Sequence, residues 1–188
     1  MDKAERFRTL IEPLHDRVLA FARCLCRSIS DGDDLFQEAM LRAFTKLHTL
    51  RDDQAFRAWV YRIVISVHRS RARRSFWRRL LPLGTDDTPE DDADPAHSGS
   101  DYRSESWSPD AADANRRARS ALAKLPAVQR EAIVLFEIEG WQVEEIATLH
   151  RVSLSAVKSR LARGRERLRE LYDAQPALVV EPAPEGSR

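Results

Sequence analysis

The chain has 188 residues, of which 43% are hydrophobic and 32% are charged. This length allows one domain or two small ones, and the apolar content is sufficient for a core, so a large multidomain enzyme and a wholly disordered chain are both excluded. The formal net charge is only +1, and apolar runs such as 63–65 and 132–136 fall far short of the roughly 20 residues of a membrane-spanning helix. We therefore expect no direct membrane insertion, and the mixed charges of the first six residues indicate a cytoplasmic protein without a secretory signal.

Motifs for catalysis and cofactor binding are not found in the sequence. The two cysteines, Cys24 and Cys26, have no second Cys or His pair at metal-ligand spacing, so they are interpreted as small helical side chains. With six glycines, the chain has neither a phosphate-binding glycine-rich loop nor a nucleophile elbow. We expect no catalytic residue, no metal and no cofactor.

Apolar periodicity predicts an all-α fold, beginning with a helix over residues 3–27 that Pro13 kinks. Residues 30–32 predict a break and an N-cap before a second helix over 33–48. The core stripe of this second helix is predicted to contain Phe36, Met40, Ala43, Phe44 and Leu47. The opposite face carries three polar residues and an exposed leucine, a combination that suits a partner protein: Asp34, Gln37, Glu38 and Leu41.

A third helix is predicted over 53–74, and its continuation to 80 stays open. Its core residues are predicted to be Phe56, Trp59, Val60, Ile63, Val64 and Val67. Residues 54–80 contain eight arginines and no acid, and arginines with stackable side chains on one face suit phosphate tracking and base capture. The face predicted to be exposed contains Tyr61, Arg62, Ile65, Arg69 and Arg73.

The segment after this helix is strongly acidic. Residues 86–113 carry ten acids and one base, together with prolines and serines, which predicts a flexible linker over 81–112. Two interpretations stay open: a solvated spacer, or acids that occupy a nucleic-acid site until the ligand arrives. The proline-containing tail, 174–188, is predicted to be disordered.

The residues between linker and tail, 113–173, predict a second helical domain. One helix ends at Pro126, the next covers 127–139 and ends at Gly140 as a left-handed cap, and a short helix covers 143–149. A tight turn over 150–152 and an N-cap at Ser153 then precede a helix to residue 172, which is the spacing of a helix-turn-helix.

The last helix carries a basic outer surface. Residues 151–169 contain seven bases and one acid, and small residues among bases allow a helix to enter a major groove. Val157, Leu161, Gly164, Leu168 and Leu171 are predicted to face inward. The outward residues predicted to contact DNA are Ser155, Ala156, Lys158, Ser159, Ala162 and Arg163.

Two sets of motifs resemble the sigma-70 family of bacterial RNA polymerase, specifically the small extracytoplasmic-function (ECF) type. Residues 33–38, 56–63 and 73–74 resemble region two. Residues 125–126, 129–131, 139–140, 144–147, 157–161 and 163–165 resemble region four. The resemblance covers about residues 3–80 and 113–172, so it implies a region-two domain over 1–80 and a region-four domain over 113–173.

The resemblance implies a role for each surface. Asp34, Gln37, Glu38 and Leu41 would dock on the clamp helices of the polymerase's largest subunit. The "minus ten" element would be captured by a loop and the third helix, through Arg51, Asp53, Tyr61, Arg62, Ile65, Ser66, Arg69 and Arg73. The outward face of the last helix would read the "minus thirty-five" duplex. The resemblance also implies an initiation factor that is not an enzyme, melts promoter DNA and is held inactive by an anti-sigma factor.

Two alternatives stay open from the residues alone. A stand-alone helix-turn-helix repressor or activator would use the same last helix but would need a dimer for tight binding. A nucleic-acid hydrolase would use Asp33, Asp34 and Glu38 with a divalent metal.

Overall fold

The computed structural model describes residues 2–80 and 109–173 of the chain. These residues contain eight α-helices and no β-strand, which confirms the all-α prediction. The first module contains α1 (Lys3–Ile11), α2 (His15–Leu25), α3 (Ile29–Lys46) and α4 (Phe56–Leu80). The second module contains α5 (Pro109–Ala123), α6 (Ala127–Ile133), α7 (Val143–His150) and α8 (Leu154–Asp173).

The first helix is broken where the sequence predicted only a kink. A 3-10 turn over Glu12–Leu14 separates α1 from α2, with Pro13 in that turn. Proline lacks the N–H that a continuous helix needs and clashes with the preceding turn, so the chain restarts at His15.

The start of α3 also differs from the prediction. Ser28, not a residue of 30–32, is the N-cap, and its hydroxyl accepts a hydrogen bond from the Asp31 amide at 3.0 Å. Gly32 therefore lies inside the helix, buried against α2, where an added Cβ would stand 2.5 Å from the Cα of Arg23. The predicted break was wrong: Gly32 does not end a helix, and its lack of a side chain allows α3 to pack closely against α2.

The core of the first module is mainly as predicted, with a small rotation of α3. Leu35, Ala39, Ala43 and Leu47 are buried, whereas Phe36, Met40 and Phe44 are half-buried at its edge. On α4, which begins at Phe56 and reaches Leu80, the predicted core residues are buried except Trp59, which is half-buried.

The helix-turn-helix of the second module is confirmed. Gly140 has φ 69° and Arg151 has φ 56°, and the second of these left-handed residues makes the turn between α7 and α8. The Ser153 hydroxyl caps α8 by accepting from the Ala156 amide at 3.2 Å. Two details differ: α5 begins at Pro109 instead of near 113, and α6 continues into a π-helical turn over Val134–Ile138.

The two modules pack against each other. Helix α2 contacts α5 and α6, and α4 contacts α7. Arg130 of α6, almost fully buried, donates to the carbonyl oxygens of Leu25, Ala123 and Leu125. One guanidinium therefore satisfies carbonyls at the ends of α2 and α5 that have no partner within their own helices.

Candidate nucleic-acid interface

The outer face of α3 combines acid, amide and an exposed apolar side chain. Asp34, Gln37 and Leu41 are exposed, and Leu41 has 69% of its surface accessible. Glu38 is half-buried, and its carboxylate accepts from Arg71 Nε at 2.7 Å. This hydrogen bond, aided by the nearby charges of Arg74 and Arg42, holds the pKa of Glu38 below its ordinary value. An ionised Glu38 and an exposed leucine on a helix form a surface suited to a protein partner.

Two of the three carboxylates of the metal-dependent alternative, those of Asp33 and Glu38, have arginine partners. Asp33 accepts from Arg23 Nε at 2.6 Å, and Glu38 is bound to Arg71. Within residues 2–80 and 109–173, no three His, Cys, Asp or Glu side chains are placed to share a metal ion. In the same part of the chain, no helix combines the length and the apolar character needed to cross a bilayer.

The loop before α4 and one face of α4 are open to solvent. Arg51, Asp53, Ser66 and Arg73 are exposed, and Arg62 is half-buried. Asp53 forms an ion pair with Arg6 of α1, with Oδ1 and Nη2 2.5 Å apart, which ties the loop to the first helix. The structure thus presents these five predicted residues on an accessible surface.

Two neighbouring clefts lie beside these residues. The larger, about 410 Å³, is lined by Arg42, Lys46, His48, Thr49, Trp59, Arg62, Ile63 and Ser66. The smaller, about 290 Å³, lies beside Arg51 and shares Trp59 and Arg62 with the first. Sequence reasoning assigned Trp59 to the core and omitted Arg42, Lys46 and His48 from the site. These three residues lie on α3 or in the turn after it, whereas Trp59 and Arg62 lie on α4. Their proximity in the cleft could therefore not be read from the sequence.

The prediction that Tyr61 and Ile65 face solvent was wrong. Tyr61 is fully buried and Ile65 is 4% exposed. The Tyr61 hydroxyl donates to the Glu139 carboxylate at 2.5 Å, and its ring centroid lies 5.1 Å from that of Trp141. Burial and this hydrogen bond raise the pKa of Tyr61. The second module covers this part of α4, which periodicity along one helix could not reveal.

Arg69 is exposed as predicted, with 41% of its side chain accessible, but its guanidinium is bound to an acid of the second module. Its Nε and Nη2 both donate to the Glu131 carboxylate, with Nη2 2.5 Å from Oε2. Glu131 is fully buried, and His68 Nδ1 lies 3.4 Å from its Oε1. Burial would raise the pKa of Glu131, but hydrogen bonds from His68 and Arg69 bring it below the ordinary value. Glu131 and its role were absent from the predicted site.

The outer face of α8 is accessible, as predicted. Ser155, Lys158, Ala162 and Arg163 are exposed, and Ala156 and Ser159 are half-buried. Val157, Leu161 and Gly164 are buried on the opposite side against the module's own core, whereas Leu168 and Leu171 are half-buried. The major groove of a DNA duplex can therefore receive this face without rearrangement of the second module. Residues 81–108 and the tail 174–188, where the linker and the disordered tail were predicted, lie outside the described residues.

Comparison with known proteins gives a family match for each module. Residues 10–78 match the family "Sigma-70 region 2", and residues 115–168 match "Sigma-70, region 4". The ECF RNA polymerase sigma factor SigM of Mycobacterium tuberculosis is 32% identical over 171 residues, covering 88% of this chain and 76% of the relative. SigE of Mycolicibacterium smegmatis is 33% identical over 163 residues, covering 86% of this chain but only 59% of the relative's length.

Solved structures give the same result. The sigma factor RpoE of Bartonella quintana, in complex with the anti-sigma factor NepR, has a TM-score of 0.61 at 25% identity, covering 90% of this chain and 98% of that one. CnrH, in complex with the cytosolic domain of CnrY, has a TM-score of 0.60 at 27% identity, covering 90% and 88%. Family matches in both modules, together with these relatives and structures, identify the chain as a member of the ECF sigma factors of the sigma-70 family.

Proposed function

We propose that the chain is an initiation factor that acts in the cytoplasm with core RNA polymerase, recognises two promoter elements and promotes melting of the duplex. It performs no covalent chemistry itself. The observation that carries the proposal is the presence of two separate accessible surfaces, one on each module: the α3 face around Leu41 and the basic α8 face around Arg163. A stand-alone DNA-binding protein needs the second surface but not the first.

The α3 surface is assigned to the polymerase. Asp34, Gln37, Glu38 and Leu41 would bind the clamp helices of the largest subunit. An exposed leucine surrounded by polar side chains supplies the apolar centre and polar rim that are typical of protein interfaces. The arginines that hold Glu38 also fix its side chain, which lowers the entropy lost on binding.

Promoter DNA is assigned to the α8 surface and to the clefts beside α4. The clefts around Trp59 and Arg62, with Arg51, Asp53, Ser66 and Arg73, would receive unpaired bases of the "minus ten" element, because aromatic stacking and arginine charge favour single strands. Ser155, Ala156, Lys158, Ser159, Ala162 and Arg163 would contact the "minus thirty-five" duplex. Tyr61, Ile65 and Arg69 would join the "minus ten" site only when the second module leaves them.

An anti-sigma partner is part of the proposal. RpoE of Bartonella quintana is described in complex with an anti-sigma factor, and this chain shares its fold over 90% of its own length. An inhibitor of this kind would hold the chain away from core polymerase until a signal releases it.

The deciding experiment is in vitro transcription with purified core polymerase on a promoter library, with and without this chain. New discrete start sites support the proposal, and their absence with well-folded protein contradicts it. The variant Leu41→Glu tests the α3 surface: a charge at this exposed position should abolish core binding and transcription while leaving the fold intact. Ile138→Glu is the matched control, because Ile138 is also exposed, at 53%, but lies on the second module.

A further inference from the structure

The first helix, α1, packs beside the loop that precedes α4. Phe7 of α1 contacts an aromatic ring on each side of this loop: its ring centroid lies 5.5 Å from that of Phe44, near the end of α3, and 6.2 Å from that of Phe56, where α4 begins. Lys3 lies over the Phe44 ring, with Nζ 4.5 Å from the centroid. Helix α1 therefore lies where α3 ends and α4 begins, next to a loop of the proposed "minus ten" surface.

Arg6 of α1 binds this loop at two places. Its Nε and Nη2 lie 3.1 Å and 2.5 Å from Oδ1 of Asp53, and Nη2 also donates to the Leu50 carbonyl oxygen at 3.3 Å. The two residues between these acceptors, Arg51 and Asp52, are exposed. One guanidinium thus fixes both ends of the segment that places Arg51 at the wall of the 290 Å³ cleft.

The contact with Arg6 also changes the charge of the surface. Asp53 is the one acid among the residues assigned to the "minus ten" element, and an unpaired carboxylate there would repel the phosphates of a strand. The Arg6 guanidinium offsets this charge and leaves Arg51 and Arg62 to attract DNA. The side chains of Arg6 and Asp53 are 29% and 47% accessible, and ion pairs this exposed contribute little to stability. The pair therefore matters more for the shape and charge of this surface than for the fold.

We propose that Arg6 is a positioning residue for recognition of the "minus ten" element, which holds residues 50–53 in one conformation and neutralises Asp53. The inference rests on the proposed function, since it concerns the same surface. A side chain that recognises a ligand must be held to within about 0.5 Å, and a loop reaches this precision only when neighbouring groups fix it. Arg6 acts through the loop and not through contact with DNA, and the ligand is an unpaired base beside Arg51.

The test uses the full-length chain with Arg6→Ala and Arg6→Lys. Alanine removes both contacts with the loop. Lysine keeps the positive charge but lacks the fork of donors with which arginine binds the carboxylate and the carbonyl oxygen together. A double variant, Arg6→Ala with Asp53→Asn, removes both charges and separates neutralisation from positioning. Arg8→Ala is the matched control, because Arg8 is an exposed arginine two positions along α1 and therefore on a different side of the helix.

Hydrogen exchange without polymerase reports the conformation of the loop. The Gln54 amide donates to the Asp52 carboxylate at 2.9 Å, and the Ala55 amide donates to the Asp52 carbonyl oxygen at 3.1 Å, so both are protected while the loop keeps its shape. We expect Arg6→Ala to speed their exchange by up to about fivefold, the effect of losing one exposed charged pair. Arg6→Lys should speed it less, and Arg8→Ala should match wild type.

Transcription with core polymerase on the promoter library reports the choice of base. Arg6→Ala should still give start sites, but the preference for the favoured base should fall by about tenfold at one or two positions of the "minus ten" element, which is the usual weight of one base contact. Preference at the "minus thirty-five" element should not change, because α8 is unaltered. The double variant should regain the amount of transcript, since no unpaired carboxylate remains, but not the base preference. Arg6→Lys should be intermediate, and Arg8→Ala should match wild type.

The outcomes distinguish this inference from the proposed function. If the wild-type chain gives no start sites, the proposed function fails and the inference fails with it. If the wild type is active, an unchanged base preference in Arg6→Ala overturns the inference alone. The same holds if Arg8→Ala broadens the preference equally, or if the double variant regains it. If Arg6→Ala does not fold, Arg6→Lys decides: wild-type exchange together with wild-type base preference overturns the positioning role.

Discussion

The imidazole of His150 makes the second module sensitive to acid. Its side chain is fully buried at the end of α7, where Nδ1 faces Arg160 Nη1 at 3.1 Å and Nε2 lies 3.8 Å from the Glu131 carboxylate. Since Arg160 can only donate, Nδ1 must accept, and the neutral ring is the form that fits. Burial lowers the pKa of His150 to about 4, with Arg69 and Arg160 adding to the effect and Glu131 opposing it.

Acid should therefore destabilise the fold through this residue. The folded pKa lies below the unfolded value near 6.5, so the stabilisation is complete above pH 6.5 and is lost as the pH falls toward 4. We expect the free energy of unfolding in urea to drop by about 2 kcal/mol between pH 7 and pH 5. His150→Gln retains an acceptor for Arg160 and should show a much smaller drop. Equal drops in both proteins would contradict this assignment.

Arg163 allows the DNA-reading face of α8 to be tested at the scale of one side chain. It is exposed on the predicted groove-facing side, where a guanidinium reaches a phosphate or a base edge. On a promoter duplex identified by transcription, Arg163→Ala should weaken binding, and loss of a phosphate contact should lower the salt slope by about one unit. Lys124→Ala, at an exposed base in the turn that follows α5, is the control and should leave affinity and slope unchanged.

At the scale of elements, the crossing of α2 and α3 positions the polymerase-binding surface. These two helices make close contact where Gly32 meets the backbone of Arg23, and Asp33, the next residue, is bound to the Arg23 side chain. The same helix carries Asp34, Gln37 and Leu41 outward, so its rotation about this crossing decides how they are presented.

Gly32→Ala should disturb that crossing. An alanine Cβ would stand 2.5 Å from the Arg23 Cα, a backbone atom that cannot move alone, so the two helices would have to separate. We expect unfolding in urea to require about 1–3 kcal/mol less free energy than in wild type. Ser30→Ala, two residues earlier on the exposed side of α3, should change stability little. A stable Gly32→Ala protein would show that the helices tolerate a wider spacing.

Elements were predictable from sequence where a local cause determines them. Ser153 as a cap and Gly140 as a left-handed residue are both confirmed, because each depends on neighbours within a few residues. Gly32 was misinterpreted because a glycine that permits close packing and one that breaks a helix look alike in sequence. The site was predictable in the same measure: Leu41 and Arg163 are exposed as expected, whereas the burial of Tyr61 depends on Glu139, 78 residues away.

At the scale of the whole molecule, buried polar contacts join the two modules in addition to the apolar cluster that they share. Arg130, Glu131 and Glu139 of the second module each bind a group of the first, and all three are buried. Buried pairs are screened by salt much less than exposed ones. We therefore expect salt to weaken the contact between the modules less than it would weaken an attraction between exposed charges.

Scattering at different salt concentrations tests this distinction. We expect the radius of gyration of the full chain to stay constant from about 0.1 M to about 0.5 M sodium chloride, because solvent ions do not reach Glu131. Progressive expansion over that range would show that exposed charges close the molecule. The Glu137→Gln variant, which loses an exposed pair, serves as the control and should follow wild type.

The π-helical turn over Val134–Ile138 makes the number of residues between α6 and Glu139 critical for the contact between the modules. A π turn accommodates one more residue than a regular helix, so deletion of one residue would shift every later position by about 100° and 1.5 Å relative to α6. Glu139 and Trp141, which directly follow the turn, would then point away from α4. A single-codon deletion would thus disturb the contact between the modules and the packing of α6 against α8 together, although it alters no DNA-facing side chain.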